Sequence, residues 1–192
     1  MMSNHVRAGL TILLVSALFL FTPAAGRAEK PIFVETYDGL SEVMVDGLVL
    51  HGVSYSCTVD GAPQGNLNDC VVRLPNWWSG ENTIIAGDPK VLLHLTFDVP
   101  TTVFGFDVGF NTGDTKSDSV IVNLYRPGIG LLREEVFLDA ITTNGWAVAR
   151  YDYDGPAVKT VTIQFNPASG LGGLRFGLDN LTYFRPKGQS KP

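Results

Sequence analysis

Two cysteines, a pair of adjacent tryptophans and scattered carboxylates are the residues of this chain with chemistry to offer. Cys57 and Cys70 stand with twelve residues between them. In an oxidising compartment such a pair forms a disulfide, and closing a loop of that length stabilises a fold by about 3 kcal/mol on the chain-entropy model. Zinc is the poorer use of the same thiols, because no further Cys and no His lies nearby. Just beyond Cys70 comes Asn76-Trp77-Trp78-Ser79-Gly80-Glu81-Asn82. Flat indoles among amide, hydroxyl and carboxylate groups suit a ring-shaped polar ligand: the apolar face of a sugar stacks on indole while Asn76 and Glu81 read its hydroxyls. The competing use of Trp77 and Trp78 is to cover the crosslink and one open end of the fold. Tyr151 and Tyr153 alternate with Asp152 and Asp154, and Tyr153 is a further candidate for ligand contact.

Catalysis would need a nucleophile with its base, a carboxylate pair or a metal centre. Beyond residue 28 there are two histidines: His94 on the polar face of a strand, and His51, before Gly52, in another. Glu134 and Glu135 are adjacent in a strand-like segment and so point to opposite faces, which prevents them from sharing one glycosidic bond. No serine sits in a nucleophile elbow. The expectation is a protein that is not an enzyme.

The elements that must position these groups are strands. Val91, Leu93, Leu95 and Phe97 alternate with polar residues; Phe104, Phe106, Val108 and Phe110 alternate with Gly and Asp. Val120, Val122 and Leu124 repeat the pattern, as do Val161, Ile163 and Phe165. A period of two with one apolar side predicts half-buried antiparallel strands, and no helical period of 3.6 competes with it. Turn signals such as Pro127-Gly128 and Asp154-Gly155-Pro156 fall between the runs, giving nine to eleven strands. The fold class expected is all-β, a two-sheet antiparallel β-sandwich of the jelly-roll kind.

Arg7, the apolar run from Leu10 to Phe21, Pro23 and the small residues Ala24 to Ala28 have the layout of a secretory signal peptide cut ahead of Glu29. A run of about 12 residues is too short to span a bilayer as a helix, so no membrane anchor is expected. The domain reading is therefore 1–28 signal peptide, 29–184 sandwich and 185–192 a flexible polar tail, with secretion to the periplasm or beyond. Removing residues 1–28 takes away Arg7 and Arg27 and no acid, so the formal charge of −5 becomes −7. An acidic chain without a basic cluster is a poor partner for nucleic acid.

In its order of features the chain resembles the β-sandwich domains of PEP-CTERM-type secreted bacterial proteins, and more broadly the galactose-binding-like jelly rolls that include carbohydrate-binding modules. The residues that carry the likeness are Phe104-Gly105-Phe106-Asp107-Val108-Gly109-Phe110, Val120 to Tyr125, Tyr153-Asp154-Gly155 and Phe176-Gly177-Leu178-Asp179-Asn180-Leu181-Thr182-Tyr183. The C-terminal sorting segment of PEP-CTERM proteins has no counterpart here. The resemblance implies a structural calcium held by an acid near the first strand and an Asp in the last, which map onto Glu35 and Asp179. Independently, the alternation of the last run slips by one residue at Asp179-Asn180, the mark of a β-bulge. The implied partner is an extracellular polysaccharide or glycan, the alternative being a structural or adhesive role in the envelope or matrix with another extracellular protein as partner.

Overall fold

A computed structural model describes residues 32–63, 70–73, 83–86, 90–110, 112–128, 133–143, 146–169 and 176–184. They form twelve strands: β1 (Ile32–Glu35), β2 (Val43–Met44), β3 (Val49–Leu50), β4 (Val53–Val59), β5 (Ala62–Pro63), β6 (Cys70–Arg73), β7 (Thr83–Ala86), β8 (Val91–Phe110), β9 (Lys116–Tyr125), β10 (Arg133–Thr143), β11 (Trp146–Phe165) and β12 (Phe176–Phe184). Pairing is antiparallel throughout. The all-β antiparallel sandwich read from the periodicity is the architecture observed.

Two of these strands are twenty residues long, and each serves both layers. The first half of β8 pairs with β4 and with the second half of β11, next to which lies β9 and then β10. The second half of β8 pairs with β12 and with the first half of β11, and β12 leads on to β7, β6 and β2. We call these layers sheet I and sheet II. Between the halves the inward parity of β8 flips. Val91, Leu93, Leu95 and Phe97 face the core at odd positions, Phe104, Phe106, Val108 and Phe110 at even ones.

The flip is absorbed by surplus residues. Three residues of β11, 155–157, stand against Thr102 alone, and four of β8, 97–100, stand against Lys159 alone. Extra residues bend a strand and increase its twist, so facing bulges turn both strands through one corner. Pro100 and Gly155-Pro156 sit there, where a missing backbone donor or side chain breaks no ladder bond. The sequence reading of Asp154-Gly155-Pro156 as a turn between two strands is corrected accordingly: it is a corner within one strand. Thr101, fully buried, donates its hydroxyl to the Val103 carbonyl at 2.8 Å.

The layers meet through aromatic rings. Phe110 of sheet II lies 4.7 Å from Phe165 of sheet I, and Phe165 is 5.5 Å from Phe176. At the corner Phe104 contacts the rings of Phe97, Phe106, Tyr151 and Tyr153 at 5.0–6.4 Å. The Cys57–Cys70 disulfide joins β4 of sheet I to β6 of sheet II, both cysteines being buried in the core. Thiol labelling of the denatured, unreduced protein should therefore find no free cysteine, and reduction should lower stability to chemical denaturant by about 3 kcal/mol. Two labelled thiols before reduction would contradict the crosslink.

Candidate functional site

The last strand changes partner partway along one edge. β7 pairs with Phe176–Leu178 and β1 with Leu181–Phe184, so Asp179 and Asn180 fall between the two partners. Along the other edge the register with β8 shifts, and Asn180 and Leu181 oppose Phe106 alone. The slip in alternation read from the sequence is this bulge. Asn180 adopts φ 51°, a left-handed conformation that Asn tolerates. Its amide donates to Asp179 Oδ1 at 2.7 Å and its side chain to Asp107 Oδ2 at 3.0 Å.

Glu35 ends β1 opposite Leu181 and is buried, as is Asp179 at 0% exposure. The amide of Tyr37 donates to Glu35 Oε1 at 3.4 Å, and His51 Nδ1 lies 2.6 Å from Glu35 Oε2. His51 is in the turn between β3 and β4, where the sequence reading had placed it in a strand. Its carbonyl accepts from the Tyr183 hydroxyl at 2.8 Å, and its ring lies 4.6 Å from Phe33. The phenols of Tyr37 and Tyr55 meet at 3.3 Å in the core. Burial raises Tyr37 well above the usual phenol range, helped by Tyr55 and then by the charges of both Glu35 and Asp179. The two acids singled out in the sequence thus act on one phenol. Five non-glycine residues have positive φ in the described chain, and three of them, Tyr37, His51 and Asn180, belong to this junction. Strain concentrated in this way marks a place the surrounding fold over-determines. Among the described residues no group of three or more His, Cys, Asp or Glu is placed to hold a metal ion.

A second constellation lies on the outer face of sheet II. Arg150, Asp107 and Asp179 occupy one rung across β11, β8 and β12. Arg150 donates from Nη1 to Asp107 Oδ1 at 3.2 Å, and from Nη2 and Nε to Asp152 Oδ1 at 2.7 and 3.1 Å. Burial opposes its charge, but the hydrogen bonds and charges of Asp152 and Asp107 outweigh it and raise the guanidinium pKa. The fork passes close over Gly105, where a Cβ would come within 2.5 Å of Asp152 Oδ1 and 2.7 Å of Arg150 Nη2. Beside it opens a groove of about 430 Å³ lined by Ile32, Val103, Asp152, Tyr153, Asp154 and Thr182.

Tyr153, a sequence candidate, therefore borders this groove, but its ring turns toward Phe104 and its hydroxyl donates to the Pro156 carbonyl at 2.7 Å. Tyr151 faces the core as well, while Asp152 and Asp154 face solvent, so these four residues divide between two faces. Asn76, Trp77, Trp78 and Glu81 lie outside the described residues, in the stretch between β6 and β7. The ends of that stretch are placed: Arg73 pairs with Thr83, one step beyond the Val72–Ile84–Leu178 rung and hence level with Asp179, Asp107 and Arg150. β7 and β8 are two strand spacings apart, about 10 Å. Residues 1–28 and 185–192 also lie outside the description. Sequence reasoning missed Arg150, Asp107 and His51. The exposed position of Arg150 within an alternating run was visible, but its partner 43 residues away was not.

No family model matches the chain, and no curated protein matches it. Among solved structures it is similar to the first carbohydrate-binding module and catalytic module of xylanase 10B from Clostridium thermocellum with xylohexaose, at 13% identity and TM-score 0.47. That match covers 83% of this chain and 29% of the other, so the chain spans less than a third of that protein's length. A family 29 carbohydrate-binding module with cellulohexaose gives 12% identity and TM-score 0.39, covering 74% and 89%. The K2 adhesin domain of Lys-gingipain gives 15% and 0.42, covering 81% and 100%. At such values none of these likenesses carries an argument about what this chain binds. The resemblance to PEP-CTERM-type domains gains no support from them.

Buried phenols make the protein sensitive to alkali. Burial pushes Tyr151 up to about 12 and raises Tyr37 and Tyr55 further. The neutral form is thus favoured in the folded state; its stabilising effect is complete below the ordinary phenol pKa of about 10 and is lost as pH rises through 12. An alkaline titration should show cooperative unfolding together with a delayed tyrosinate absorbance. Smooth ionisation near pH 10 without unfolding would refute the buried arrangement.

Proposed function

We propose that this protein is an exported, non-catalytic binding module for extracellular carbohydrate. The observation that supports it best is the groove of sheet II. A planar guanidinium held by Asp107 and Asp152, the exposed carboxylate of Asp154 and the apolar side chains of Ile32 and Val103 border one open space. Of its lining, Arg150 stands on the rung level with Arg73 and Thr83, between which the Trp77-Trp78 stretch runs. Fixed planar polar groups suit pairs of sugar hydroxyls, and apolar surface suits the C–H faces of the rings. Asn76, Trp77, Trp78, Glu81 and Tyr153 are the proposed contacts. Export accords with a disulfide in the core, which persists in oxidising compartments. A structural or adhesive role is the second reading, favoured by Ile141, 62% exposed near the end of strand β10 at the border of the sheet.

A panel of insoluble polysaccharides separates these readings. The protein should be retained by at least one, Trp77→Ala with Trp78→Ala should reduce retention by tenfold or more, on the order of two lost stacking contacts, and Trp→Phe should keep part of it. Full retention by the double alanine variant would remove the tryptophans from the site.

We further propose a structural calcium between Glu35 and Asp179. Two buried acids acting on one phenol offer hard oxygen donors, the chemistry calcium prefers, with His51 as the competing partner of Glu35. Chelation should then lower the melting temperature, and Asp179→Ala should abolish that sensitivity. A melting curve indifferent to chelator assigns Glu35 to His51 alone.

A further inference from the structure

The outer face of sheet I has a composition that the groove of sheet II lacks. Its central rung runs Ser56, His94, Thr162, Asn123 and Glu135 across β4, β8, β11, β9 and β10. One neighbouring rung carries Thr58, Leu92, Gln164, Ile121 and Phe137; the other carries Ser54, Thr96, Thr160 and Tyr125 before Arg133. Over the four strands other than β10, all twelve positions bear uncharged side chains, in a chain of which 17% is charged. On the outer face of sheet II, Arg150, Asp152 and Asp154 are exposed. Here none of the twelve is. Asn123 and Thr162 are 2% exposed and Ile121 is 7% exposed, while at the rim Phe137 reaches 49%. We call this face the trough: its side chains are most enclosed along β9 and β11, and its five strands span about 19 Å.

The polar groups in the trough hydrogen-bond one another. Their mutual contacts are long: Asn123 Nδ2 to Thr162 Oγ1 at 3.3 Å, Thr58 Oγ1 to His94 Nε2 at 3.2 Å and Thr96 Oγ1 to Thr160 Oγ1 at 3.3 Å. Hydroxyls, amides and a neutral imidazole each both donate and accept, as sugar hydroxyls do. Burial lowers the His94 pKa, which keeps the imidazole neutral at pH 7.

We propose that this trough is a second ligand surface, separate from the groove of sheet II, and that it takes an extended, uncharged glycan laid across the strands. Neutrality over twelve positions gives no purchase to uronic acids, phosphates or basic peptides. Alternating hydroxyl, amide and imidazole groups match the donors and acceptors of a neutral sugar chain, with Phe137 and Tyr125 supplying ring surface at the rim. The proposal rests on the reading of the protein as a carbohydrate binder, and adds the class of glycan and a second place of contact.

Affinity electrophoresis through gels containing soluble xylan, hydroxyethylcellulose or alginate tests it. The unmodified protein should be retarded by a neutral polymer and not by alginate, with little change on raising the salt. His94→Ala with Gln164→Ala should weaken retardation by about tenfold, each deletion removing one or more hydrogen bonds. Ser56→Arg, which places a bulky charge in the trough, should do the same with an unchanged melting temperature. Trp77→Ala with Trp78→Ala should keep the share of binding that the trough supplies. If both trough variants migrate like the unmodified protein while the tryptophan variant loses all retardation, the trough is refuted and the module reading stands. If no neutral polymer retards the unmodified protein, both fall. Gln164→Cys should react with a maleimide in the absence of glycan and be protected by it; a thiol blocked without glycan would mean that the chain itself covers the face, which overturns the proposal.

Discussion

The corner shared by β8 and β11 is the constraint on which the rest depends. A strand that serves two layers has to exchange its inward and outward sides partway along, and two paired strands must do so together or lose their register. Surplus residues at 97–100 on one strand and 155–157 on the other meet that requirement from opposite directions. Phe97 and Phe104, on either side of the corner, remain within 5.7 Å of one another, so the core continues through the bend. Everything outside β8 and β11 is arranged around this pair: β4, β9 and β10 on one layer, β12 and its neighbours on the other.

A second irregularity lies in sheet II. β12 cannot find one partner for its whole length, and the residues left between β7 and β1 are Asp179 and Asn180. Polar side chains suit such a break because they satisfy backbone groups that a ladder would otherwise occupy, as Asp179 Oδ1 does for the Asn180 amide. The same break admits Tyr37 and brings the acid at the end of β1 beside it. Packing geometry and site chemistry therefore have one origin.

The alternations at 91–97, 104–110 and 161–165, the paired cysteines and the slip at Asp179-Asn180 were legible because each is a local pattern with a local physical meaning. The corner was not. Pro and Gly signal the end of a ladder equally well at a turn and at a bulge, and only the partner strand distinguishes them. The Arg150–Asp107 pair and the uncharged rungs of sheet I were illegible for a related reason: they are defined across strands, by residues as far apart in sequence as Ser56 and Thr162, and acquire meaning only once the register is known. His51 was misplaced because a left-handed residue before Gly52 makes a two-residue turn where the flanking Val49-Leu50 and Val53 suggest one continuous strand.

The pairing of β1 with β12 has a mechanical side. Ile32 lies opposite Phe184, so the chain enters and leaves this pair at the same end. A pull on the two flanking segments loads that rung first and opens the ladder like a zip, one pair at a time, where strands loaded at opposite ends would shear all their bonds at once. The peeling front would travel through Phe33–Tyr183 and Val34–Thr182 before reaching Glu35–Leu181. There it meets the His51–Glu35 contact, a charge-assisted tie from β1 to the turn between β3 and β4. Under tension, the junction is thus the brake on the peeling of the first strand.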